Sequence, residues 1–433
     1  MSFELPFKLP TGWQVATVDE LVKQKIIAKP LDGNHGGIHP KASDYIESGV
    51  PFVMASDLAG GRVDLIDCKF ISEEQASGLR KGIAKAGDVL LSHKATIGRT
   101  AIVQDSKHDF IMLTPQVTYY RVINSSALSN IYLKAYFDSR FFQSILGLWA
   151  GAGSTRAYLG ITGQLKLPII LPPIEIQNEI SGQVHALNKK VNLNNEINQT
   201  LEEMAQAIFK SWFVDFDPVK AKMNGKQPEG MDAATASLFP EKLVESELGL
   251  IPEGWKVKKI GDVAERYSVG KKYSQKTAVE SGLVPILDQG KSGIIGYHND
   301  KPGVKASLDN PIIVFANHTC YMKLVTYDFS AIQNVLPFKL NGCDIYWSYL
   351  ATQGKQKFVE YKGHWPDFMI HEIVIPSEEL MQRFGELVKP FYSQMASNEN
   401  QNKSLAKLRD TLLPKLLSGE IELGETEEMA EVN

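Results

Sequence analysis

The chain has 433 residues, of which 43% are hydrophobic and 22% charged, with a formal net charge of −4. That is enough apolar chain for two or three domains with real cores, and no apolar run approaches the roughly 18 residues needed to span a bilayer, so a cytoplasmic protein without membrane contact is expected. Three scattered cysteines (Cys68, Cys320, Cys343) make neither a disulfide framework nor a zinc knuckle, and the acidic excess is local, because six of the residues from Glu420 to Asn433 are acidic and none is basic.

Residues 1–172 read as a mixed globular stretch. Short apolar, β-branched runs such as VPFVMAS, GDVLLS and QVTYYRV alternate with Gly, Asp and Asn, which predicts strands and turns, and NIYLKAYFDSRFFQSIL predicts one helix. After LPIILPP the pattern changes. Over 173–213 the residues Ile180, Val184, Leu187, Val191, Asn194, Asn198, Leu201, Ala205, Ile208 and Trp212 recur at spacings of four and three, the seam of a long helix. About 40 residues of helix would extend about 60 Å. Residues 214–249 carry Pro218, Gly225, Pro228, Gly230 and Pro240 and read as a connector, in which Trp212, Phe213 and Phe216 at its edge are either helix-end core or anchors for a partner.

The second half repeats the first. LPTGWQVATVDELV from Leu9 returns as IPEGWKVKKIGDVA from Ile251, GDVLLSHKATIGRTAIV from Gly87 as DNPIIVFANHTCYMKLV from Asp309, and NNEINQTLEEMAQAIFKSWF from Asn194 as NENQNKSLAKLRDTLLPKLL from Asn398. The separation shrinks along the chain, so the second copy is the same unit with trimmed loops. Residues 250–376 therefore form a second mixed stretch, with a helix predicted over IYWSYLATQGKQKFVEY. Residues 377–419 form a second long helix, and 420–433 a disordered acidic tail. Neither striped helix can stand alone, so antiparallel packing about a pseudo-twofold is expected, with Asn194, Asn198, Asn398 and Asn402 meeting at the middle. Amides on a seam specify register, since a slipped pairing would bury them against leucine. Pro414 should end or bend the second helix.

Four segments, LPIILPPIEIQNEI, AIFKSWFVDFDPVKAK, LGLIPEGWKV and LRDTLLPKLLSGEI, carry a resemblance that covers essentially the whole chain. In this order, and with the duplication, the sequence resembles the specificity subunits of type I restriction-modification enzymes. The resemblance implies an α+β protein of two target-recognition domains separated by two long antiparallel coiled-coil helices. It implies that each domain reads one half of a bipartite, asymmetric site in double-stranded DNA. It also implies two methyltransferase subunits held on the helical regions, restriction subunits in the larger complex, and S-adenosylmethionine bound by the methyltransferase partners rather than by this chain.

Base edges are read chiefly by Arg, Lys, Asn and Gln, while other cations fix position on phosphate. The first domain offers His93, Lys94, Thr96 and Arg99 in a glycine-containing turn, and Ser154, Thr155, Arg156 and Tyr158 in GAGSTRAYLG. The second offers Asn317, His318, Thr319, Tyr321 and Lys323 at the corresponding turn, Lys362, His364 and Trp365 in YKGHWPDF, and the basic cluster Lys271, Lys272 and Tyr273. Catalytic signatures fail on inspection. GAGSTRAYLG does not follow a strand, QGKSG lacks the first glycine of a phosphate loop, WPDFMIHEIV lacks the lysine of a nuclease core, and the nine histidines show no metal-ligand spacing. A non-catalytic DNA-recognition subunit is the expectation, with a freestanding DNA-binding or scaffold protein as the alternative.

Overall fold

The apolar runs become short strands buried along their whole length, as Val50–Val53, Val89–Ser92 and Val117–Tyr120 are, which is how strands covered on both faces read. In the computed structural model, residues 8–151, 157–290 and 293–421 are described, and strands and helices mix throughout. The chain divides into two units, Met1–Leu193 with Gln401–Asn433, and Asn194–Asn400.

In the first unit a six-stranded sheet runs Leu31–Asp32, Val117–Tyr120, Val89–Ser92, Thr100–Ile102, Arg62–Val63, Leu58–Ala59, beside a four-stranded sheet in the order Lys69–Ile71, Val50–Val53, Ile111–Leu113, Ile83–Ala84. Gln14–Thr17 pairs antiparallel with Pro168–Leu171. The first long helix, Ile174–Phe213, starts directly after that strand. Its entry is fixed by the buried Gln177, whose amide donates to Ala127 O (3.0 Å) and Pro172 O (2.9 Å) and accepts from Ser129 N (3.0 Å). Three backbone groups satisfied by one side chain explain the glutamine of IEIQNEI. Ile180 and Val184 of this helix share a core with Leu413, Leu416 and Leu417 of the second long helix, Glu378–Ser418.

The second unit repeats the plan with fewer strands. A four-stranded sheet runs Ala264–Arg266, Val335–Leu340, Ile312–Ala316, Met322–Val325, and a three-stranded one runs Ile294–His298, Val284–Leu287, Ser330–Ala331. Lys256–Lys259 pairs with Glu372–Ile375 as Gln14–Thr17 pairs with Pro168–Leu171. Each copy also contains parallel pairing, Met112 beside Phe52 and Arg62 beside Ile102 in the first and Ile286 beside Ser330 in the second. Duplication thus extends from sequence to hydrogen-bond topology.

Within each unit the long helices run antiparallel. Asn188 meets Arg409 (3.4 Å) in the first, while in the second Asn198 meets Asn398 (2.7 Å) and, fourteen residues further along, Trp212 meets Phe384 (5.8 Å between rings). Trp212, Phe213 and Phe216 are core residues, packed with Phe239, Trp255, Trp347 and Phe384, and Phe216 turns the chain at φ +55 into the short helix Asp217–Met223. The connector is ordered further by Ala233–Ser237 and a hairpin of Leu243–Ser246 with Gly249–Pro252.

Three local expectations need correction. The single helix predicted across 130–146 is two, Asn130–Asp138 and Arg140–Ala150, broken at an extended Ser139 whose hydroxyl oxygen accepts from Phe142 N (3.1 Å). Its counterpart stops at Thr352, before Gly354 at φ +72, where a left-handed residue ends helical pairing. The second long helix does not end at Pro414 but continues to Ser418, and Pro390 also lies inside it. Burial of Leu413, Leu416 and Leu417 holds the last turn despite the missing amide.

Candidate functional site

In the first unit, strands Val89–Ser92 and Thr100–Ile102 are joined by the turn 93–99. His93 N donates to Gln116 O (2.9 Å), Leu159 N donates to His93 O (3.1 Å), and His93 Nδ1 donates to Leu159 O (3.1 Å). The imidazole is fully buried, and burial pushes its pKa down to about 4. His93 therefore ties two loops together from inside, and the expectation that it faces DNA is corrected: a side chain without exposed surface has nothing to offer a base edge. Lys94, Thr96 and Arg99 do stand on the surface. Ala95 between them adopts φ +63, a conformation that costs a non-glycine residue about 1 kcal/mol or more and clusters at functional turns. Arg99 Nη1 donates to Ala55 O (3.1 Å) and Ser56 O (3.2 Å), which braces the turn against the neighbouring loop. Gly98, at φ +88, leaves room for Gln143, whose Oε1 would lie 2.0 Å from any added Cβ. Tyr158 forms a β-bridge to Lys94 and is exposed. Ser154, Thr155 and Arg156 lie outside the described residues.

The corresponding turn of the second unit, 317–321, joins Ile312–Ala316 to Met322–Val325. Asn317 occupies the place of His93: its N–H donates to Asn334 O (2.9 Å), its carbonyl accepts from His364 N (2.8 Å), and its Oδ1 accepts from Trp365 N (2.8 Å). His318 N donates to Gln289 Oε1 (2.9 Å), and the His318 ring uses both nitrogens, Nδ1 donating to Lys362 O (2.8 Å) and Nε2 accepting from Asn334 Nδ2 (2.8 Å). Thr319 Oγ1 donates to Gln289 O. Cys320 and Asn334 sit at φ +57 and +68, so this turn too holds unusual backbone.

Other candidates separate into surface and interior. His364 is fully buried and bonded to Glu360 O (3.0 Å). Tyr273 is buried, stacked on His298 at 4.1 Å, and donates to Asp300 (2.9 Å). The Trp365 ring, half-buried, packs on Phe315 and Phe338. His364 and Tyr273 hold the loops in shape rather than face outward, which corrects their assignment as surface contacts, whereas Trp365 keeps part of its ring at the surface. Lys271 pairs with Asp300 (2.8 Å), Lys362 with Asp367 (3.2 Å), and Lys323 with Glu399 of the second long helix (3.7 Å); pairing raises the pKa of Lys271 and Lys362. Tyr321 is half-buried, and burial pushes its phenol up. Lys272, Asn317 and Trp365 line a groove of about 640 Å³ together with Arg266, Gln333 and Asn334.

Those last three residues, with Gln289, escape sequence reasoning. The signal that points to them is the repeat: Gln116 in TPQVTYY and Asn334 in IQNVLPF both end a turn just before a central strand and both receive the recognition turn's first N–H. Of the four seam asparagines, Asn198 and Asn398 form a hydrogen bond, Asn194 and Asn398 are buried, and Asn402 is half-buried. Among the described residues no group of three or more His, Cys, Asp or Glu is placed to hold a metal ion, and no helix is long and apolar enough to cross a membrane.

Residues 10–203 match the family described as the type I restriction modification DNA specificity domain. The chain is 25% identical to the HindI specificity subunit of Haemophilus influenzae, with 86% of this chain and 94% of the relative covered. It is 24% identical to the MjaIX specificity subunit of Methanocaldococcus jannaschii, with 98% and 100% covered. Among solved structures it is similar to the type I restriction-modification S subunit from M. genitalium, at 12% identity and a TM-score of 0.46 over 96% of this chain and 98% of that one. The first part of the chain thus matches that specificity-domain family, and the chain as a whole is similar, at 24–25% identity, to specificity subunits of type I restriction enzymes.

Proposed function

We propose that residues 1–172 and 250–376 each read one half of a bipartite, asymmetric site in double-stranded DNA, and that the long helices over 173–213 and 377–419 set the distance between the halves. The observation that carries this reading is the recognition turn built twice on one backbone plan with different outward side chains: Lys94, Thr96 and Arg99 in one, Thr319 and the Arg266–Lys272–Gln333 groove in the other. A shared framework with unlike surface groups suits two unlike half-sites. The Asn198–Asn398 bond supports a register role for the seam amides, including Asn194 and Asn402, because each satisfies the other only in one alignment.

On this reading the chain does no chemistry. Two methyltransferase subunits, which bring S-adenosylmethionine, dock on it, restriction subunits complete the assembly, and the complex works in the cytoplasm. Selection of bound sequences from random duplex DNA by the chain assembled with its methyltransferase subunits tests the proposal. Two short conserved blocks at a fixed separation are expected; one contiguous block, or none, would contradict it.

A further inference from the structure

Each unit contains a Tyr-x-Gly segment shortly before a short helix, Tyr158-Leu159-Gly160 before Ile161–Gln164 and Tyr361-Lys362-Gly363 before Trp365–Met369, the second standing two residues earlier relative to the recognition turn. In each, a histidine of the recognition turn donates from Nδ1 to the carbonyl of the residue after the tyrosine: His93 to Leu159 O (3.1 Å) and His318 to Lys362 O (2.8 Å). In each, the same imidazole lies against the tyrosine ring, tilted at 5.7 Å from Tyr158 and stacked at 4.9 Å and 17° on Tyr361. Yet the rings themselves are exposed, Tyr158 by 48% and Tyr361 by 83%. Both glycines lie in close packing: an added Cβ would lie 2.7 Å from Tyr158 Oη at Gly160 and 3.0 Å from Asn317 Nδ2 at Gly363.

A large aromatic ring left in water normally has no reason to be held in place. Here an imidazole holds one in each unit, beside Lys94 in the first and Lys362 in the second. Stacking on His318 covers one face of Tyr361 and leaves the other face and the ring edge open. Aromatic rings presented this way next to cations suit nucleic-acid bases, through stacking or through apolar contact with the methyl group of thymine.

We infer that Tyr158 and Tyr361 are specificity-determining residues, each ring touching bases of one half-site, with His93 and His318 as the positioning residues behind them. The inference rests on the two-half-site reading above. Tyr361→Ala, Tyr361→Phe and Tyr158→Ala variants of the full chain, assembled with methyltransferase subunits, are to be compared by sequence selection and by affinity against salt. Tyr361→Ala is expected to relax the base preference at one or two positions of a single half-site by roughly tenfold, and Tyr158→Ala to do so in the other. The melting temperature and the salt slope stay unchanged, because no phosphate contact is lost. Tyr361→Phe keeps the preference, since the ring and not the hydroxyl makes the contact. Affinity falling uniformly over all sequences with a shallower salt slope, or unchanged preferences in both alanine variants, would overturn the inference while leaving two-part recognition intact. A wild-type complex with no preferred sequence would remove the underlying reading, and the inference with it.

Discussion

Arg99 and His93 stand six residues apart on one turn and do opposite work. Arg99 commits Nη1 to two loop carbonyls and remains on the surface. Arg99→Ala is expected to weaken recognition of the first half-site alone, by roughly 1–3 kcal/mol if a base contact goes; competition binding with each half-site altered in turn reads this out. His93 predicts a pH effect on stability instead. Its folded pKa of about 4 lies below the ordinary 6.5, so the unfolded chain takes up a proton first. Its contribution is therefore complete above pH 6.5 and is lost as pH falls toward 4, by up to about 3 kcal/mol. Urea unfolding across that window should show the loss in the wild-type protein and a flatter profile in His93→Gln. Polar residues in a glycine-containing turn were legible in the sequence as a site. Which of them point inward was not, because His93 and Tyr273 are drawn in by a carbonyl and a ring from distant segments, Leu159 and His298, and His364 by the carbonyl of Glu360 in its own loop.

Among the elements, the long helices were the most legible, since a stripe at spacings of four and three sustained over 40 residues fits neither the period of a strand nor the irregularity of a loop. Their ends were less so. Ser139 splits a run that looks continuous because its hydroxyl offers the next turn a cap, and Pro414 stays helical because tertiary packing outweighs a lost backbone bond. In the second unit the helix pair is anchored by Phe384, which meets Phe209, Trp212 and Phe213 at 5.2 to 5.8 Å. Phe384→Ala should cost about 3–5 kcal/mol, seen as a lower denaturation midpoint. Asn198 and Asn398 behave differently. Replacing Asn198 with leucine leaves the buried Asn398 Nδ2 without the acceptor it has now, at about 1–3 kcal/mol, whereas replacing both should restore the melting temperature and loosen the register. If the double variant melts lower than either single one, the pair contributes stability rather than alignment.

At the scale of the whole molecule, duplication was readable before any coordinate, because matching segments recur in order with shortened loops, and the strand pairings follow the same order. The target bases were not, since they depend on a few outward side chains that differ between the copies. If the helices act as a ruler, four helix-forming residues inserted after Asn198 add about 6 Å and slightly more than one turn. The spacer between half-sites should then lengthen by one or two base pairs while both half-site sequences stay the same. The most direct measurement is base-resolution mapping of methylated positions in DNA from cells carrying this chain with the proposed methyltransferase subunits. Two-part recognition predicts methylation at one bipartite, asymmetric sequence with a fixed spacer, absent when this chain is deleted; methylation that persists without the chain, or that marks a single contiguous sequence, would contradict it.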